Sequence, residues 1–393
     1  MLMPDRRIDW RTIGFLNTVS ILSQIGQFGF GIVVLPLWLT RHGLNAAQLG
    51  IFASGIWFGM LAGLAIAPGL NVRFGYRAVI VTGLLVSMLG LALIPATGWP
   101  DWLAPAVLIG LGMGLRWIGL EPWLYRIAPN DARGRLVGFH ETLIGIAPIV
   151  APMLAKWGGF GGNLAPVLGI AFTCSALLPL AFTRPTPAAQ SVLSAGPGNN
   201  PGSLQRRLLA LGIAVGMVAG ISEAAFSGLF PIFGLGRSLD TDQIATLLAV
   251  FGLGGLLLQY LVGWIADHRG LRFAILICAT ITVILAVIAV LPIGYTGLAI
   301  TIFALGGTIT SYLTLSIIAA TKAGDGDLSV NVRKVSMVYT ASSIFGPLIA
   351  GTAMKTLGSE ALLWQVGLLA AALSGYVLLF TRPVLPETGR SFR

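Results

Sequence analysis

The stretch Thr183-Arg-Pro-Thr-Pro-Ala-Ala-Gln-Ser-Val-Leu-Ser-Ala-Gly-Pro-Gly-Asn-Asn-Pro-Gly-Ser-Leu-Gln205 decides how the chain is read. It is rich in Pro, Gly, Ser and Asn and too poor in apolar side chains to span a bilayer or fill a core. On both sides of it the composition reverses. Apolar runs cover 13–39, 48–70, 78–97, 103–128, 136–155 and 164–182 before it, then 208–233, 243–266, 273–291, 294–321, 335–357 and 362–380 after it. Each is roughly 19 to 28 residues, enough to cross a hydrocarbon layer of about 30 Å as a helix. The expected organisation is a six-helix bundle over 1–183, a cytoplasmic linker over 184–205 and a second six-helix bundle over 206–393.

Of the 393 residues, 56% are apolar and 10% are charged, whereas a soluble domain carries about a quarter charged residues. Mean hydropathy is +0.88 over the whole chain, so one anchor on a globular head does not account for it. This excludes a soluble enzyme and indicates an all-α polytopic membrane protein. The net charge of +10 sits in loops rather than in a nucleic-acid patch. Most Lys and Arg fall at the termini and in the even-numbered loops, against Arg41, Lys156, Arg237 and Lys355 on the other side. Both termini are therefore expected in the cytoplasm, with no cleaved signal peptide. Cys174 and Cys278 lie inside apolar runs and build neither a disulfide framework nor a metal site.

The central linker prompts a search for a repeat of half the chain. An offset of 195 residues (231 − 36) aligns Pro36 with Pro231, Gly59 with Gly254, Gly75 with Gly270, Arg77 with Arg272, Gly112 with Gly307 and Pro152 with Pro347. The halves read as a parallel repeat about an axis along the membrane normal.

The loop after the eighth helix, Gly263-Trp-Ile-Ala-Asp267-His-Arg269-Gly270-Leu-Arg272, resembles the G-x-L-x-D-R-x-G-R-R signature of the major facilitator superfamily. Its counterpart, Pro68-Gly-Leu-Asn-Val72-Arg73-Phe-Gly75-Tyr-Arg77, is similar but has Val72 in place of the acid. Within that superfamily, Trp117-Ile-Gly-Leu-Glu121-Pro-Trp-Leu and the following Arg133-Gly-Arg135 resemble drug/proton antiporter-like and uncharacterised bacterial branches. Asp267 is suited to meet the positive N-terminus of the fifth helix, near Arg133 and Arg135. A latch of Asp267, Arg269, Arg272, Arg73, Arg77, Arg133 and Arg135 is expected, set against a topology-only role for the basic residues. The resemblance implies that the first, fourth, seventh and tenth helices line a cavity, and that Arg116 corresponds by position to a buried arginine linked to proton coupling or anion binding.

Ionisable side chains inside the spans point to mechanism, because an unpaired charge there costs at least about 2.5 to 3.5 kcal/mol. They are Arg116 and Glu121 on the fourth helix, His140 and Glu141 on the fifth, and Glu223 on the seventh. Arg116 and Glu121 stand about 140° apart around their helix, so each needs a partner elsewhere. For Arg116 the alternatives are substrate charge or an ion pair with Glu121 or Glu141. Pro122 frees a carbonyl in the turn holding Glu121. Glu141, with His140, either titrates or pairs with Arg133 or Arg135. Glu223 shares a small-residue groove with Gly216, Gly220 and Ser227, as a proton or cation site or as an interhelical hydrogen bond.

Asn17, Ser20, Gln24 and Gln27 form a polar stripe that lipid would not tolerate. Arg116, Asn17, Gln24 and Gln27, with Trp57, Trp117, Phe226, Tyr312 and Tyr339, are the expected substrate contacts, and Glu223, Glu121, Glu141 and His140 the expected proton carriers. No catalytic or nucleotide-binding motif is present. The expected activity is proton-coupled export of a small organic solute through a bacterial inner membrane, without cofactor or metal, by a monomer whose partners are substrate, protons and lipids. Uptake of an organic acid, sugar or peptide-like solute is the alternative. A non-transporting receptor or assembly factor is the alternative from a different class.

Overall fold

The computed structural model describes residues 10–129, 133–183, 203–323 and 328–380, and among these the regular structure is entirely helical. Twelve helices are long and apolar enough to cross a membrane. They are α1 (Trp10–Arg41), α2 (Ala46–Phe74), α3 (Tyr76–Ala96), α4 (Leu103–Ile127), α5 (Arg135–Gly158), α6 (Leu164–Ala181), α7 (Leu204–Gly236), α8 (Thr241–His268), α9 (Leu271–Val290), α10 (Tyr295–Lys322), α11 (Val330–Leu357) and α12 (Ala361–Leu379). Leu204 and Gln205, assigned to the linker by composition, already belong to the helix that opens at Ser203. The rest of the linker lies outside the described residues.

The repeat is visible in local chemistry. Asn45 and Gln48 form a reciprocal capping box at the start of α2, with bonds of 3.0 and 3.1 Å. Asp240 and Gln243, 195 residues on, do the same for α8 at 2.8 and 3.0 Å. Gly75 and Gly270 take φ of +81° and +91°, a conformation open to glycine, which turns the chain sharply into α3 and α9. Behind each turn an arginine reaches the last carbonyls of its own bundle: Arg77 donates to Ala181 O at 3.2 Å and Arg272 to Leu378 O at 3.5 Å.

The third span ends in a 3-10 turn over Ile94–Ala96 and the sixth is interrupted at Ala176, and three more spans also depart from a plain α-helix. Residues Ile25–Val34 of α1 are π-helical, and Gly26 and Gly29 there let α1 lie backbone-close to α6 and α5. The fifth span is interrupted at Ile146 and the eleventh at Ile344, just before Pro148 and Pro347, whose missing N–H groups leave the preceding turn unsupported.

The bundles meet along α2–α11 and α5–α8 on the face away from the linker. A Cβ on Gly50 would stand 2.3 Å from Pro347 O, and one on Gly351 2.5 Å from Ala46 O. Ser54 Oγ donates to Ile344 O at 2.6 Å, and Lys156 Nζ to Thr246 Oγ1 at 2.9 Å. One apolar core runs through both halves here, while Ile13, Leu16, Tyr76, Ile80, Leu120 and Trp123 form a separate core at the linker side of the first half. The closest approaches between the bundles thus gather toward the face away from the linker.

Candidate functional site

Arg116 is 2% exposed. Its Nε donates to Gln27 Oε1 at 3.0 Å and its Nη2 to Gln24 Oε1 at 2.5 Å. Gln27 Nε2 donates in turn to Ser87 Oγ at 2.8 Å, and Ser87 to Ile109 O at 3.0 Å. The polar stripe of α1 therefore faces inward, and its Gln24 and Gln27 are spent on the guanidinium. The alternative of an ion pair with Glu121 or Glu141 does not form among the described residues; the partners of Arg116 are two neutral amides. A buried cation needs such hydrogen bonds, and the amides leave its charge uncancelled. Ser87 went unnoticed in the sequence, yet the 195-residue offset places it opposite Thr282, a second buried hydroxyl used between helices.

A second cluster lies nearer the linker face. The Asn17 amide donates to Ile13 O at 2.9 Å, which turns its Oδ1 toward His140 Nδ1 at 3.1 Å. Nδ1 is then the donor, and Nε2 faces Ser20 Oγ at 3.5 Å and Glu121 Oε1 at 3.9 Å. Glu141 is exposed and accepts from Tyr125 OH at 3.3 Å. Its expected arginine partners do not appear: Arg135 is exposed, and the side chain of Arg133 lies outside the described residues. The carbonyl freed by Pro122 is not open to substrate either. Ile118 O accepts from Asn71 Nδ2 at 2.9 Å.

In the other half Glu223 Oε2 accepts from Tyr339 OH at 2.9 Å. The small residues of α7 make this possible. A Cβ on Gly220 would lie 2.2 Å from Tyr339 O, and one on Gly216 2.8 Å from Ser316 Oγ, so α11 and α10 press directly on that face. Trp57 of the first half meets the Tyr339 ring edge-on at 5.9 Å and 86°. Two other expected substrate contacts are enclosed by neighbouring side chains. Tyr312 is fully buried with its hydroxyl on Thr282 at 2.8 Å, and Phe226 is sealed between Phe230 and Phe251 at 4.8 and 4.1 Å. Trp117 is half-buried.

At the loops, Asp267 and Arg269 are exposed and neither forms an ion pair among the described residues. Arg73 lies over the neighbouring Phe74 ring at 5.0 Å. Among the described residues, no ion pair joins any two of the expected latch residues.

Two six-helix repeats around a crevice with buried charge at mid-span define a secondary transporter. The Major Facilitator Superfamily pattern matches residues 16–326, and the chain belongs to that family. It is 26% identical over 344 residues to the uncharacterized MFS-type transporter YcaD of Escherichia fergusonii, covering 85% of this chain and 88% of that one. An uncharacterized MFS-type transporter of Enterobacter sp. (strain 638) is 25% identical over 360 residues, 89% and 90% of the two chains. Among solved structures, a D-xylose-proton symporter superposes with a TM-score of 0.76 at 12% identity, covering 96% of this chain and 98% of that one. The nucleoside transporter NupG gives 0.75 at 13%, covering 93% and 98%. At those identities the likeness is one of fold.

Proposed function

We propose that this transporter exports a small organic solute across the bacterial inner membrane in exchange for protons, with Glu223 carrying the coupling proton. One observation carries the reading: Glu223 sits mid-helix, half-buried, bonded to a neutral hydroxyl and to no cation among the described residues. A carboxyl so placed has two accessible states, neutral when sealed and charged when wet. Arg116, in the opposing half, supplies the fixed positive charge that a solute or the proton must answer. Glu121, His140 and Glu141 form a route for protons at the linker face. With both termini in the cytoplasm by the distribution of basic residues, the crevice opens inward, ready for a cytoplasmic solute.

The test is transport by reconstituted protein under an imposed pH gradient. Glu223→Gln preserves shape and hydrogen bonding but cannot titrate, so gradient-driven accumulation should vanish while solute exchange survives. Coupled transport at the wild-type rate would move the proton to Glu121 and Glu141. Reversing the gradient distinguishes export from uptake, and a protein inert under every gradient would be a receptor.

A further inference from the structure

Four contacts join α2 to α11 in order from the far face toward the centre of the membrane. They are Gly351 on Ala46, Gly50 on Pro347, Ser54 on Ile344 and Trp57 on Tyr339. The first three are backbone approaches or a hydroxyl on a carbonyl. The innermost is made by two rings, and one of them carries the hydroxyl that Glu223 accepts. The backbone of Tyr339 is fixed independently of that hydroxyl: its carbonyl accepts from Ser342 Oγ at 2.9 Å and Ser343 Oγ at 2.8 Å, and it lies against Gly220. The ring is the part free to respond.

We propose that Tyr339 is a positioning residue that ties the charge of Glu223 to the α2–α11 seam, presenting its ring to Trp57 while the carboxylate holds its hydroxyl. This rests on Glu223 being the coupling acid. A hydrogen bond to a carboxylate is about twice as strong as one to a neutral acceptor. Protonation of Glu223 therefore loosens the ring, weakens the innermost rung and favours parting of the seam from the inside outward.

The other titratable groups on helices packed against α7 are engaged or distant. Tyr312 on α10 donates to Thr282, and Glu360 at the start of α12 pairs with Arg237 at 3.3 Å. Arg41 on α1 donates to Phe160 O. Arg333 and Lys334 on α11, with Asp267 and His268 on α8, are exposed toward the linker face, where Tyr376 of α12 also lies; Tyr260 on α8 is exposed. Asp242 and Tyr295 open α8 and α10 and Lys355 closes α11 at the far face, while Arg11, Arg73 and Lys322 stand at the linker-face ends of α1, α2 and α10.

The experiment measures spin-label distances across the far face, with Asp101→Cys and Leu357→Cys in a background where the exposed Cys174 is replaced by Ala. In the otherwise wild-type protein, acidification should lower the ratio of closed to open seam by roughly fivefold, the weight of exchanging a charge-assisted bond for a neutral one. Tyr339→Phe keeps the ring and should abolish that response, as should Glu223→Gln. Trp57→Leu breaks the same rung from the other side and decides the matter if Tyr339→Phe does not fold. Retention of the response in Tyr339→Phe and Trp57→Leu, with loss in Glu223→Gln, would overturn the role of Tyr339 and leave Glu223 as the coupling acid. A response that survives Glu223→Gln, or none in the wild type, would remove both.

Discussion

Arg116 and Glu223 were legible because ionisable side chains at mid-span are rare and costly. Their partners were not. Gln24 and Gln27 were recognisable as an inward stripe, but nothing in the order of residues says whether an amide serves a solute or a guanidinium. The surroundings of Tyr312 and Phe226 were hidden for a related reason: an aromatic ring suits a cavity wall and a core equally, and the hydroxyl that captures Tyr312 is on another helix. The geometry at Arg116 makes a charge-selective prediction. Its planar fork holds two glutamines at once, which an ammonium group cannot reproduce in the same directions. Arg116→Lys should reduce transport of an anionic solute by at least about tenfold and that of a cationic one by less, since charge is kept while about 1.4 kcal/mol or more of directed bonding is lost. Equal losses for both in vesicle uptake assays would place Arg116 in the scaffold alone.

At the level of helices, hydropathy located all twelve spans to within a few residues and passed over their interruptions. The apolar character of α5 and α11 continues across Ile146 and Ile344, so length and composition do not reveal the breaks, although Pro148 and Pro347 mark them. The π-helical stretch of α1 has no signature beyond its glycines. Glycines divide into two mechanical classes that the sequence alone cannot separate. A Cβ on Gly110 would fall 1.8 Å from Ile56 O, within one bundle, whereas a Cβ on Gly50 would meet Pro347 O and Gly351 Cα across the seam. Gly110→Val should therefore destabilise the folded protein by about 1 to 3 kcal/mol in any state. Gly50→Val should leave the melting temperature nearly unchanged but shift spin-label distances to an open far face, with transport reduced about tenfold or more. A comparable loss of thermal stability in both variants would count against the seam as a moving part.

For the whole molecule, the linker and the 195-residue offset disclosed the two-bundle plan. The conformational state was not readable, because one sequence must support every state of the cycle. Asp267, exposed and without an ion pair among the described residues, is proposed to find its partners when the linker face closes. Asp267→Asn should accordingly raise the fraction of molecules open at that face by a fewfold, as read by distances between labels on the loops after α2 and α8. An unchanged distribution and an unchanged transport rate would retire the latch.

The seam on the far face has one further property. The ion pairs among the described residues, His140–Glu121 and Arg237–Glu360, each stay within one bundle, and Lys156 crosses only to a hydroxyl. Parting this face separates no ion pair found among the described residues, whereas in the proposed latch closing the other brings Asp267 toward arginines. Dissolved electrolyte screens attraction between exposed charges over about 8 Å at physiological ionic strength and over less as salt rises. Salt should therefore act on one end of the rocking motion and not the other, so that a concentrated medium holds the carrier waiting with its linker side open.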